Sequence, residues 1–204
     1  TPKPSSAASD VYKRQEFYRP PEDAPEIIYL KEKRQKLGGY IPNRTLSCPS
    51  LIIPELERFG NFLDSSKDRE MSTTGIMVRL LASLLKLTEV QRYIVPIVPD
   101  EARTFGMEGL FQAAGIYSPQ GQLYQSLDGD SLMPYREAED GQILQEGITE
   151  VGAIASFMAA GSAYSVHGLP MIPFYFFYSM FGMQRVGDMI WSCGDMMCRG
   201  FLLG

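Results

Sequence analysis

The stretch that most constrains this chain is residues 141–152, GQILQEGITEVG. Ile143 and Leu144 make a short apolar run that feeds a turn at Gly147. From Ile148 the apolar residues recur at helical spacing, through Val151, Ile154, Ala155, Phe157 and Met158. A strand that becomes a helix within so few residues predicts an α/β unit. Glu150 then falls in the first turn of the helix, at the carboxyl end of the strand. A carboxylate there meets unpaired N–H groups and the positive end of the helix dipole, so spacing alone favours a capping glutamate. The sharper reading is a buried acid kept for proton transfer, because the following helix is apolar on nearly every side.

Other segments repeat the alternation. Ser72, Thr73 and Thr74 precede Ile76, Met77, Leu80, Leu81, Leu84 and Leu85, which predicts a capped helix over 73–87. Residues 93–98, YIVPIV, read as a short strand, and Pro96 predicts an edge position or an irregular path. A helix is expected over 102–114, with Phe105, Met107, Leu110 and Phe111 on its apolar side. Residues 118–135 are rich in Gly, Asp, Ser and Gln without period, and a loop of that length is expected to be a lid. A buried strand rich in aromatics is expected at 169–178, and exposure of Phe174 to Phe177 would favour aggregation. A helix is expected over 184–193, and the start of a further strand over 200–204.

Strands alternating with helices predict an α/β fold: a mostly parallel sheet with helices on both faces, truncated at the C-terminus. Residues 1–15 resemble a translated adapter and are set apart. Residues 16–50 read as an arm and linker whose charged run at 31–36 is a solvated helix face. Residues 51–204 read as one incomplete domain.

A net charge of −5 gives no electrostatic reason to expect nucleic acid or anionic lipid as partner. The apolar segments 151–166 and 169–183 fall short of the roughly twenty residues that span a bilayer. The first residues lack the basic start and apolar core of a signal peptide. Cys48, Cys193 and Cys198 form no disulfide framework, and Cys193 and Cys198 are spaced too widely for a C-x-x-C pair, so reduced core thiols in a cytoplasmic protein are expected. No dinucleotide, P-loop or nucleophile-elbow motif is present, and no His or Cys cluster suggests a metal. The single histidine, His167, beside Gly168 and Pro170, reads as a surface or capping residue. Asp100, Glu101, Asp128 and Glu150 stand at strand ends or in the long loop. Ligands of parallel sheets sit beyond the carboxyl ends of strands, so Asp100, Glu101 and Glu150 are candidates for one crevice.

The blocks EARTFGMEGLFQAAGIYSPQGQLY, GQILQEGITEVGA, LPMIPFYFFYSMFGMQRVGD and RGFLLG together resemble the homodimeric first component of pyruvate dehydrogenase complexes. The similarity runs from about residue 29 to 204. DEARTFGMEGLF and GQILQEG separate the chain from transketolase, whereas G-I-T-E resembles a segment shared across transketolase-like enzymes. The resemblance implies the pyrimidine-binding domain of a thiamine diphosphate enzyme that decarboxylates pyruvate and passes the acetyl group to a lipoyl domain. It implies that Glu150 hydrogen-bonds N1′ of the aminopyrimidine and supports proton removal at the thiazolium, work that calls for a pKa raised by burial. Ile148 matches the apolar residue that bends the cofactor, and Phe181 and Arg185 match residues around the pyrimidine ring. Tyr178 and Glu101 match residues lining the reaction centre, with Asp100 beside them, and Asp128 falls in the family's active-site loop. The family's G-D-G…N motif does not occur in this chain, so Mg²⁺ ligands are expected outside it. The family pairs the pyrimidine domain of one subunit with the diphosphate domain of its partner. A homodimer docking on a dihydrolipoyl acetyltransferase core is therefore implied, and the isolated chain is expected to be inactive. A transketolase-type transferase and a catalytically silent assembly fragment are the alternatives.

Overall fold

The computed structural model describes residues 19–39, 44–100, 102–127, 129 and 133–204. The chain divides into two units, residues 1–44 and 45–204. The first contains helix α1 (Pro25–Lys36), with Pro25 at its first turn, Glu26 near its N-terminus and Lys33, Arg34 and Lys36 near its C-terminus. That order of charge complements the helix dipole, and none of its residues is buried, as a solvated face requires.

In the second unit, a one-turn helix α2 (Gly60–Leu63) precedes helix α3 (Thr73–Leu84). The Ser72 hydroxyl caps α3 by accepting from the Gly75 N–H at 3.0 Å. Strand β1 (Ile94–Val98) follows, then a one-turn helix α4 (Phe111–Ala114) and the two-residue strands β2 (Ile116–Tyr117), β3 (Glu137–Ala138) and β4 (Leu144–Gln145). Helix α5 (Glu150–His167), strand β5 (Ile172–Phe176), helix α6 (Ser179–Asp195) and strand β6 (Phe201–Leu203) complete the order. The main sheet runs β4-β1-β5-β6, every pair parallel, and β2 pairs with β3 alongside it.

Side chains alternate across β1 and β5, and this alternation builds both layers of core. Ile94, Val98, Phe174 and Phe176 face α3 and α4, where they meet Leu81, Leu110 and Phe111. Val95, Ile97, Tyr175 and Phe177 face α5 and α6, where they meet Ile154, Phe157 and Val186. Helices therefore cover both faces of the sheet, as the sequence predicts. The aromatic run 174–177 is buried throughout, as a buried strand over 169–178 requires and against the aggregation-prone exposure, because β5 is an interior strand with a helix layer on each side. Removing the Phe176 ring would cost about 3–5 kcal/mol.

Pro96 also departs from expectation, since β1 is central rather than at an edge. The β1–β4 ladder begins at Ile97, one residue beyond Pro96. Pro173 stands in the same relation to β6, whose pairing with β5 begins at Phe174. Each proline lies where a neighbouring strand has not yet started, so its missing N–H need not break a ladder on that side. The helix expected over 102–114 is broken. Turns occupy 102–106, then come a 3-10 turn (Glu108–Leu110) and α4, with Gly106 at φ 70°. Its apolar residues still reach the core, and Met107, Leu110 and Phe111 are fully buried.

Two glycines mark close backbone approaches. A Cβ on Gly141 would lie 2.5 Å from the Ile116 carbonyl, and one on Gly161 would lie 2.8 Å from the Arg199 carbonyl oxygen. Gly141→Ala and Gly161→Ala should each destabilise by about 1–3 kcal/mol in urea unfolding. Gly194→Ala, in open space within α6, should be neutral or stabilise by up to about 1 kcal/mol.

Candidate functional site

The carboxyl ends of the parallel strands lie along one edge of the sheet, and the segments leaving them carry most of the candidate residues. β4 leads through Gly147, at φ 77°, and Ile148 into Thr149. Thr149 caps α5 by accepting from the Gly152 N–H at 3.3 Å. Glu150 is thus the first residue of α5, and its side chain is only 13% exposed.

Arg185, in the second turn of α6, donates from Nη1 to Glu150 Oε1 at 2.6 Å. Its guanidinium also lies 5.0 Å from the centroid of the Phe181 ring. Phe181 meets Tyr178 edge-on at 6.2 Å, and Tyr178 packs on Phe105 at 4.9 Å. A continuous row thus runs from the turns after β1, through the start of α6, to the carboxylate of α5. Four sequence candidates, Glu150, Arg185, Phe181 and Tyr178, belong to this row. Phe105 joins it although its spacing marked it as core. Only its position four residues beyond the Asp100–Glu101 pair could have flagged it.

The Arg185 hydrogen bond sets the state of Glu150. Together with the residue's own backbone N–H, it outweighs burial and holds the carboxyl below its ordinary range. This reverses the expectation of a raised pKa: the acid is half-buried, but the cation reaching it from α6 decides the sign. Glu150 thus stands in the first turn of α5, where a capping glutamate is expected, with a largely buried side chain. Burial, with the Glu150 carboxylate nearby, pushes the Tyr175 hydroxyl up to about 12.

Ile148 stands 81% exposed on the turn before α5, Val151 is exposed in the first turn of α5, and Met180, Phe181 and Met183 are exposed at the start of α6. Apolar side chains thus border a half-buried carboxylate. Asp100, two residues beyond β1, takes φ 49°, an uncommon value for a residue other than glycine. It is held by Gln145, whose Nε2 donates to Oδ1 at 2.6 Å, and so shares the sheet edge with Glu150 while being tied to β4. Gln145, not singled out by sequence spacing, lines with Asp100, Arg103 and Tyr135 a hollow of about 200 Å³. Glu101 and Asp128 lie outside the described residues.

The described part of the 118–135 loop is irregular, and contacts with β3 hold it. The Tyr124 and Tyr135 hydroxyls donate to Glu137 Oε1 at 2.8 and 3.0 Å, and Gln122 accepts from the Glu137 N–H. A more apolar hollow of about 450 Å³ lies between β4 and α5, lined by residues such as Leu144, Ala160 and Met171. Arg92 and His167 also line it, and no carboxylate does. His167 is the last residue of α5, preceding Gly168 in the left-handed cap. Among the described residues, no group of three or more His, Cys, Asp or Glu could hold a metal ion, and no helix is long and apolar enough to cross a membrane.

The family model of the pyruvate dehydrogenase E1 component middle domain matches residues 51–204. The chain is 54% identical over 188 residues to the pyruvate dehydrogenase E1 component of Pseudomonas aeruginosa, covering 92% of this chain and 21% of that protein. It is 51% identical over 185 residues to the protein of the same name in Escherichia coli K12, covering 90% and 21%. Against that of Mycobacterium tuberculosis it is 46% identical over 188 residues, covering 92% and 20%. The chain spans about a fifth of the length of these relatives.

Replacing Arg185 by Met should raise the Glu150 pKa toward or above the ordinary value near 4.3, read by carboxyl NMR titration. Because the folded pKa is depressed, the pair's stabilisation is present above the unfolded pKa and is lost as pH falls through the folded one. The variant should therefore lose stability at neutral pH by at most about 1 kcal/mol, since Arg185 is half exposed, and show a flatter profile below pH about 4.

Proposed function

The chain belongs to the pyruvate dehydrogenase E1 component middle-domain family, and on that premise we propose that it supplies the aminopyrimidine side of a thiamine diphosphate site. The complete enzyme would oxidatively decarboxylate pyruvate and pass the acetyl group to a lipoyl domain. One observation carries this reading: a half-buried carboxylate at the strand-end edge, beside the Phe181 ring and the exposed Ile148. Such a surface suits a flat ring with one polar edge.

When bound, thiamine diphosphate supplies the carbanion chemistry. Glu150, kept ionised by Arg185, accepts a hydrogen bond from a protonated ring nitrogen, and a carboxylate has acceptor capacity beyond the bond it already takes. Phe181 offers a face for stacking, and Ile148 supports the bend between the two rings. Tyr178, Asp100, Glu101 and Asp128 are assigned to the reaction side of the crevice. Diphosphate and Mg²⁺ ligands are assigned to another domain, because this chain lacks G-D-G…N. A second subunit would bring that domain, and the cytoplasmic homodimer would dock on an acetyltransferase core.

In the native enzyme, Glu150→Gln should lower pyruvate turnover by about 10²- to 10⁴-fold while leaving circular dichroism and melting temperature close to wild type. Near wild-type turnover would reduce Glu150 to a helix cap. Ile148→Ala should raise the thiamine diphosphate concentration needed for half-maximal activity by about tenfold, the loss of roughly two buried methylenes. Stability should not change, because Ile148 is 81% exposed.

A further inference from the structure

Cys193 and Cys198 are too far apart in sequence for a C-x-x-C pair, yet the end of α6 brings them together. Met197 takes a left-handed conformation at φ 54°. Its N–H donates to the Gly194 carbonyl at 2.9 Å, and the Cys198 N–H donates to the Cys193 carbonyl at 2.9 Å. This paired closure of a helix end folds the residue after the left-handed position back onto the one five earlier, where an apolar contact is common. Here both residues are cysteines. Both lie in the layer that α5 and α6 form on the sheet, Cys193 buried and Cys198 half-buried, and the Cys198 thiol donates to the Met158 carbonyl at 3.8 Å.

We propose that Cys193 and Cys198 are a peroxide-reactive dithiol that closes to an intramolecular disulfide. Cys198, the more exposed of the two, meets the oxidant first. Its thiolate sulfur attacks one peroxide oxygen, the O–O bond breaks, and the departing hydroxide takes up a proton to leave as water. This produces a sulfenic acid on Cys198. The Cys193 sulfur then attacks that sulfur. An S–S bond forms, the S–O bond breaks, and the hydroxide leaves with the Cys193 proton as a second water. The two thiols lose two electrons, and one peroxide becomes two waters. Burial and the neighbouring Cys198 push the Cys193 thiol up to about 12, which fits the role of resolving rather than attacking residue. The third thiol, Cys48, accepts from Arg199 Nη1 at 3.4 Å and is the competing partner.

Trypsin cleaves after Arg185 and Arg199, so one peptide, VGDMIWSCGDMMCR, carries both cysteines. Native protein treated with equimolar hydrogen peroxide, alkylated under denaturing conditions and digested should give this peptide without alkyl groups and two hydrogens lighter than its free dithiol, and dithiothreitol before alkylation should return the doubly alkylated peptide. In Cys193→Ser, dimedone should trap the sulfenic acid on Cys198, whereas the wild-type protein should show little trapping. If the variant does not fold, the wild-type mass shift decides alone. An unchanged peptide, a Cys198 sulfinic or sulfonic acid with Cys193 still reduced, or a Cys48–Cys198 cross-link would overturn the assignment.

Discussion

Everything in the larger unit depends on β1 and β5 lying side by side with both faces buried. A parallel pair has no hairpin to close it, so the chain must cross over the sheet, and each crossover leaves a helix on one face. The five residues of β1 and the four from Phe174 to Phe177 therefore serve two cores at once. Odd and even positions answer to different helices. The same topology collects all the exits from the strands along one edge, and the polar chemistry gathers there.

Much of this was legible in the sequence because it rests on local periodicity. The period change across residues 141–152, the hydroxyl cap at Ser72 and the abrupt turn at Gly168 are short-range signals, and the structure follows them. Two features were not legible, because neighbours in space decide them. Pro96 reads as marking an edge or an irregular path until the late start of β4 is known. Residues 102–114 carry helical apolar spacing, but Gly106 and the turns around it deliver those side chains to the core without a continuous helix.

At the candidate site the residue types were readable and the charge state was not. Sequence placed Glu150 at a helix start and the family resemblance gave it a ligand, but the sign of its pKa shift comes from Arg185, thirty-five positions later. Burial and an adjacent cation pull a carboxyl in opposite directions, and a bond at 2.6 Å decides the contest. Glu150 is thus an ionised carboxylate paired with Arg185 beside the Phe181 ring.

The close contact at Gly161 has a mechanical consequence. The Arg199 N–H donates to the Gly161 carbonyl at 2.9 Å, so the chain beyond α6 is pinned to the middle of α5, backbone against backbone. The Tyr164 hydroxyl adds a second tie beside it, donating to the Met197 carbonyl at 3.0 Å, while Arg185 holds Glu150, eleven residues away and about 16 Å along the helix. The helix is thus clamped at two places along its length, and a side chain at Gly161 would unseat one of them.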